Sequence, residues 1–250
     1  MTTLPRQMTT GREGERLMRG RIRPSRPPRQ ADIACPPWLQ ARILHLGPEV
    51  MVLDKPAGLP VSARSGESLE GWLPALRLGK RRDPQPAHRL DADTSGCLAL
   101  GRTAPMLARL NALFAGRQAG KLYWAVVRGT PPGAAGVVEE PLRKVSSAAR
   151  GWRMEAHPDG EPARTAWRLL GRAEGVAWVE LRPETGRTHQ LRVHCAHLGC
   201  PILGDPLYGA GGGGGLHLLA RALALPLDPP LAVEAPVPEH MLAAVAACGG

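Results

Sequence analysis

Hydrophobic positions along the chain fall in short runs rather than long stripes. Glu49-Val-Met-Val-Leu-Asp54 is a compact apolar run stopped by Lys55-Pro56-Ala57-Gly58, which predicts a short buried strand. Gly96-Cys-Leu-Ala-Leu100 predicts a second strand. Thr103 stands where a helix N-cap belongs, with Pro105 in the first turn. Leu107, Leu110, Leu113 and Phe114 then share one helical face up to Gly116. Leu122–Arg128 is β-prone, and Thr165–Leu170 with Val176–Leu181 predicts a hairpin around residues 171–175. Strand signals outnumber helical ones. The predicted class is α/β or α+β, with a sizeable mixed or antiparallel sheet, and the glycine run 211–215 is a flexible loop by composition.

Composition narrows the function. No apolar run approaches the roughly 20 residues of a membrane span, so an integral membrane protein is not expected. The net charge of +10 and a pI near 10.2 favour a polyanionic partner, nucleic acid first and an acidic membrane surface second. Much of that charge is local: residues 1–31 hold eight arginines against two glutamates, with four prolines and almost no apolar period. Such a stretch cannot bury enough surface to offset the entropy of ordering it. It predicts a disordered basic arm over 1–36 and a body over 37–250, which opens near Cys35-Pro36-Pro37. The arm suits an RNA-contacting tail or a solvated extension. Five cysteines, odd in number and without a CxxC, predict reduced thiols in a cytoplasmic protein and give no support to a zinc ribbon.

Two segments of the body are dense in polar groups yet flanked by apolar strand signals. One is His88-Arg89-Leu90-Asp91-Ala92-Asp93-Thr94-Ser95-Gly96, and the other runs from Thr185 to His194. In the second, Gln190, Arg192 and His194 alternate with Leu191 and Val193, which places the three polar residues on one side of an extended segment. A carboxylate that stays ionised in a partly buried cleft needs a cation nearby. The first segment offers Asp91 and Asp93, the second Arg187 and Arg192. Asp93, Thr94 and Ser95 are common turn formers, and a turn before the strand accounts for all three.

His88-Arg-Leu-Asp-x-x-Thr-Ser-Gly96 resembles the signature of the RluA-type RNA pseudouridine synthases. Val52-Leu-Asp-Lys-Pro-Ala-Gly58 is similar to the opening motif of that family, Lys121-Leu-Tyr123-Trp-Ala-Val to its middle one, and Gly186–His194 with the segment up to Asp205 to its later one. They occur in the family's order over about residues 38–240. The resemblance implies a mixed, largely antiparallel sheet flanked by helices with a central cleft, and an isomerase that turns uridine into pseudouridine in ribosomal RNA or tRNA without a cofactor. It implies that Asp91 is the catalytic aspartate, that Arg192 ion-pairs with it, and that Tyr123 packs on the base and helps remove the C5 proton. It implies that Arg89 enters the RNA stack when the target base leaves. Arg187, Lys55, Lys121 and His88 are the further candidate RNA contacts. A uridine within a stem is out of reach, so base flipping is required.

Two rivals come from other classes. One is an RNA-binding or assembly factor of the same fold that does not catalyse. The other is a metal-dependent hydrolase on His189, His194 and His197, although the set lacks standard zinc spacing and no metal is expected. Nothing in the sequence predicts other than a monomer.

Overall fold

The computed structural model describes residues 34–64, 66–147, 151–212 and 214–250. The basic arm expected over residues 1–36 lies outside the described residues, apart from its last three. In chain order the elements are α1 (Pro37–Gln40), β1 (Ile43–Leu46), β2 (Val50–Lys55) and α2 (Leu69–Trp72), which runs into a 3-10 turn at Leu73–Leu76. Then come β3 (Gln85–Pro86), β4 (Ser95–Gly101), α3 (Ala104–Ala115), β5 (Gly120–Arg128), β6 (Ala135–Val138), β7 (Leu142–Ser147) and β8 (Gly151–Ala156). The last six are β9 (Thr165–Ala173), β10 (Val176–Pro183), α4 (Gln190–His197), β11 (Leu218–Leu225), β12 (Leu231–Glu234) and α5 (Glu239–Ala247).

One ten-stranded sheet forms the body, in the order β1-β2-β4-β11-β5-β10-β9-β6, with β3 added to β4 and β12 to β11. Strands β7 and β8 form a separate antiparallel hairpin. Only β4 and β11 run parallel among the described strands, with Gly96 opposite Ala220. That pairing explains the glycine that ends the first polar segment. Gly96 sits at φ +106°, and a Cβ there would collide with the Ala220 backbone. The sheet is therefore mixed and mostly antiparallel, as expected.

Helices cover both faces. Val50, Val52, Cys97 and Ala99 project to the side closed by α3 and α5, where Leu110 and Met241 are fully buried. Met51, Leu53, Leu98 and Leu100 project to the other side, under α1, α2 and the 3-10 turn. Further along that second side, Ala125, Val127 and Leu181 carry α4 through Leu191 and Cys195. Tyr123 packs against both of these latter clusters, so it lies at the seam between them. The predicted cap holds: Thr103 Oγ1 accepts the Met106 N–H at 3.3 Å. The buried stripe of α3 is Met106, Leu110 and Leu113, while Phe114 is half-buried and turns to the cleft described below.

One local expectation is corrected. Residues 190–194 are not extended; they open helix α4. Alternation over five residues fits either geometry when the element is buried on nearly all sides, and Gln190 to Cys195 are all buried. At helical spacing Leu191 and Cys195 share the apolar face, and Gln190 and His194 share another. The chain enters the helix through His189 at φ +53°, a left-handed residue that sets the direction of α4.

Candidate active site

A cleft of about 560 Å³ opens beside the central strands, where β4 and β11 begin and β10 ends. Its walls come from the segment before β4, the C-terminal part of α3, the start of β5, and the loop leading from β10 into α4. Asp91, Tyr123 and Arg192, more than a hundred residues apart at the extremes, all line it.

Asp91 begins a tight turn in which the Thr94 N–H donates to the Asp91 carbonyl at 3.1 Å, with Ala92 and Asp93 at its centre. This is the turn expected from Asp93 and Thr94; Ser95 already belongs to β4. Lys55 pins the turn from behind. Its ammonium donates to the carbonyls of Pro56 at 2.7 Å, Leu59 at 2.8 Å and Ala92 at 2.8 Å. The side chain is buried, with the residue 1% exposed, and burial lowers its pKa to about 8 against the opposing charges of Asp93, Asp91 and Asp54. Lys55 is thus not brought to the cleft wall as an RNA contact. All three of its donors hold loop carbonyls, which a lysine stem reaching inward from the end of a buried strand can do. The Asp91 carboxylate itself has no hydrogen bond or ion pair among the described residues.

Arg192 stands on the first turn of α4, and its ion pair differs from the expected one. Nε donates to Asp205 Oδ2 at 2.8 Å and Nη2 to Asp205 Oδ1 at 2.7 Å, with the two side chains 3% and 0% exposed. No ion pair joins Arg192 to Asp91. Burial works to lower the Arg192 pKa, the Asp205 bonds and charge outweigh it and raise the value, and the Asp91 charge adds to the rise. A buried carboxylate demands a partner more strongly than one facing an open cleft, so the guanidinium fork goes to Asp205. Asp205 Oδ1 also accepts the N–H groups of Leu207 at 2.9 Å and Tyr208 at 3.1 Å. Burial alone would push this carboxyl up; the Arg192 bonds and charge hold it below the usual range. The Tyr208 ring lies 5.1 Å from the guanidinium carbon. Its hydroxyl accepts the Met154 N–H at 2.9 Å and lies 2.8 Å from His189 Nδ1. His189 in turn stacks on Trp152 of the β7–β8 hairpin, with ring centroids 5.1 Å apart.

The remaining candidates divide. Arg89 is exposed on the cleft wall and has no hydrogen bond or ion pair among the described residues. Lys121 lines the cleft and reaches the Thr185 carbonyl at 3.3 Å; burial and then Arg117 lower its pKa. Arg187 lines the cleft while Nε donates to the Pro162 carbonyl at 3.1 Å and Nη1 pairs with Glu161, so it braces the loop around residue 161. His88 lines the cleft, but Nε2 accepts the Ala99 N–H at 3.0 Å and the ring stacks on Phe114 at 4.2 Å. Burial keeps it neutral and drives its pKa far down. Tyr123 has its pKa raised by burial first and by the Asp91 charge second.

The three candidate metal-binding histidines have other tasks. His194 Nδ1 lies 2.9 Å from Thr165 Oγ1 and Nε2 lies 3.0 Å from the Glu140 carbonyl. His189 belongs to the Tyr208 and Trp152 contacts, and His197 lies near Glu140. Among the described residues no group of three His, Cys, Asp or Glu is arranged to hold a metal ion. Sequence reasoning missed Asp205 and Tyr208. The available signal was an Asp-Pro pair directly after the apolar Pro201-Ile-Leu-Gly204, where a carboxylate has to fold back on local N–H groups or find a cation.

Comparison with known proteins agrees with this geometry. The profile described as RNA pseudouridylate synthase matches residues 49–197. An uncharacterized RNA pseudouridine synthase of Zymomonas mobilis is 46% identical over 211 residues, covering 81% of this chain and 96% of that protein. The ribosomal large subunit pseudouridine synthase D of Xanthomonas campestris is 38% identical over 184 residues, covering 70% of this chain and 54% of that protein. The structure of human RNA pseudouridylate synthase domain containing 4 superposes with a TM-score of 0.73 at 28% identity, over 85% of this chain and 94% of that one. With the sheet, the cleft and the ordered motifs, these matches establish that the chain belongs to the RNA pseudouridylate synthase family, isomerases that convert uridine to pseudouridine in RNA.

Proposed function

We propose that this protein isomerises specific uridines in structured RNA, ribosomal RNA or tRNA, with Asp91 as the nucleophile. The observation that carries this reading is the Asp91 carboxylate, held on a pinned turn with no partner among the described residues, facing a cleft that also holds Tyr123 and Arg192. Asp91 attacks either C1′ or the uracil ring. The N1–C1′ bond breaks, the freed uracil turns within the cleft, C5 bonds to C1′, and the bond that Asp91 formed breaks, which returns its carboxylate. The C5 proton leaves and N1 gains one, so the reaction balances without a cofactor. Tyr123 stacks on the loose base. Its raised pKa keeps it a phenol at rest, so it must pass on its own proton before it can take one from C5.

Arg89, Arg117 and Lys121 line the cleft and make it cationic, which suits a phosphate backbone. The unpartnered Arg89 can enter the gap left by a flipped base, because a guanidinium plane stacks on bases and donates to their acceptors. The name of the Xanthomonas relative, ribosomal large subunit pseudouridine synthase D, supports ribosomal RNA as the first substrate to try. Five free cysteines suit a reducing, cytoplasmic setting. The test is to incubate the protein with ribosomal RNA and with tRNA from cells lacking its gene, and to map pseudouridine. Conversion of discrete uridines in one class is expected; no conversion in either class would refute the proposal.

A further inference from the structure

We infer that Asp205 is a positioning residue for the reaction: it fixes Arg192 so that one edge of the guanidinium is closed and the other faces the cleft. The inference rests on the proposed roles of Asp91 and Arg192, and it extends them to a residue outside the cleft wall. Of the three guanidinium nitrogens, Nε and Nη2 are both bonded to the Asp205 carboxylate, and Nη1 has no partner among the described residues. A planar fork has little freedom once two of its N–H groups are bonded in parallel. The Asp205 carboxylate is itself held in place: it is fully buried and also accepts the N–H groups of Leu207 and Tyr208. The Tyr208 ring lies against the guanidinium and further restricts its plane.

The consequence concerns the nucleophile. Tying the fork to Asp205 leaves at most the Nη1 edge for Asp91 or for the substrate. It also makes Arg192 and Asp205 together nearly neutral, so the cleft holds an oriented N–H donor rather than a bare cation beside the attacking group. Asp205 achieves this without touching the substrate.

The test uses the full chain with Asp205→Asn and Asp205→Ser, measured per folded molecule after thermal denaturation by circular dichroism. Asn places an N–H₂ where Oδ2 or Oδ1 faced the fork, and Ser leaves room for a water. The expected result is a loss of at least tenfold in single-turnover rate with RNA affinity within threefold of wild type. In an Arg192→Lys background, where no fork exists, Asp205→Asn should cost less than threefold. A wild-type rate per folded molecule, an equal tenfold loss in the Arg192→Lys background, or failure of both variants to fold would overturn the inference and assign Asp205 to stability alone. Asp91→Asn run alongside separates the two readings: activity there would refute the role of Asp91, whereas an inactive Asp91→Asn with fully active Asp205 variants would refute only the present inference.

Discussion

The two polar segments that build the cleft use their polar groups in opposite ways. Residues 88–96 present theirs. Asp91 and Arg89 face the cleft without a partner among the described residues, and what holds them is backbone: the turn to Thr94 and the Lys55 bonds behind it. Residues 185–208 mostly have theirs paired, some with one another and the rest with β9 and the loops around residues 140 and 162. Gln190 Nε2 donates to the Arg164 carbonyl and to Thr165 Oγ1, each at 3.0 Å, while its Oε1 accepts from Thr185 Oγ1 at 2.7 Å. Arg192 closes on Asp205, and His194 is bonded through both ring nitrogens. One segment carries reactive groups on a rigid turn; the other is a satisfied internal network whose open Arg192 edge completes the site. Comparable polar density in a sequence therefore means chemistry in one place and architecture in the other, and burial separates them.

The comparison breaks first at Arg192. Arg192→Met leaves the Asp205 carboxylate buried without its cation and should lower stability by about 3–5 kcal/mol, read by urea denaturation. Arg192→Met with Asp205→Leu should recover most of that stability yet remain inactive, which separates packing from chemistry. The acid behaviour follows in sign. The Asp205 carboxyl is held below its ordinary range, so its contribution is present at neutral pH and lost as pH falls through that depressed value. The double variant should lack this part of the acid loss.

Next in size is Lys55→Met, which strands three loop carbonyls. A stability loss of about 2 kcal/mol is expected, with a fall in activity greater than the fall in RNA affinity, because the turn carrying Asp91 loses its anchor. Smallest in stability is Arg89→Ala, an exposed position where about 0.5 kcal/mol or less is expected in the melt. Its effect belongs to function: slower turnover and a slope of log K against log salt shallower by about 1 if the guanidinium also meets a phosphate. An Arg89→Ala variant with reduced stability and unchanged activity would reverse the assignment of the first segment.

Much of this was legible in the sequence, for identifiable reasons. Strands β2, β4 and β5 and the β9–β10 hairpin follow from short apolar runs with clear stops, and α3 follows from Thr103, Pro105 and its helical spacing. Asp91, Tyr123 and Arg192 were nameable from ordered motifs, and all three line one cleft. Helix α4 was misread because its polar residues point inward to partners on β9 and on the loops around residues 140 and 185, and no local pattern reports a partner that distant. Lys55 was misplaced for the same reason, since a lysine closing a buried strand reads as surface until the loop carbonyls around it are known. Asp205 lay inside a recognised motif without a role, because its role is set by contact with Arg192, thirteen residues earlier and in another element.

The central claim is that the Asp91 carboxylate performs the chemistry while contributing little to the fold. Asp91→Asn, assayed for pseudouridine formation in RNA from cells lacking the gene and melted beside wild type, tests it most directly. The account predicts a loss of at least about 10³-fold in rate with stability within about 0.5 kcal/mol of wild type. Pseudouridine formed by the Asn variant at the wild-type rate would contradict it.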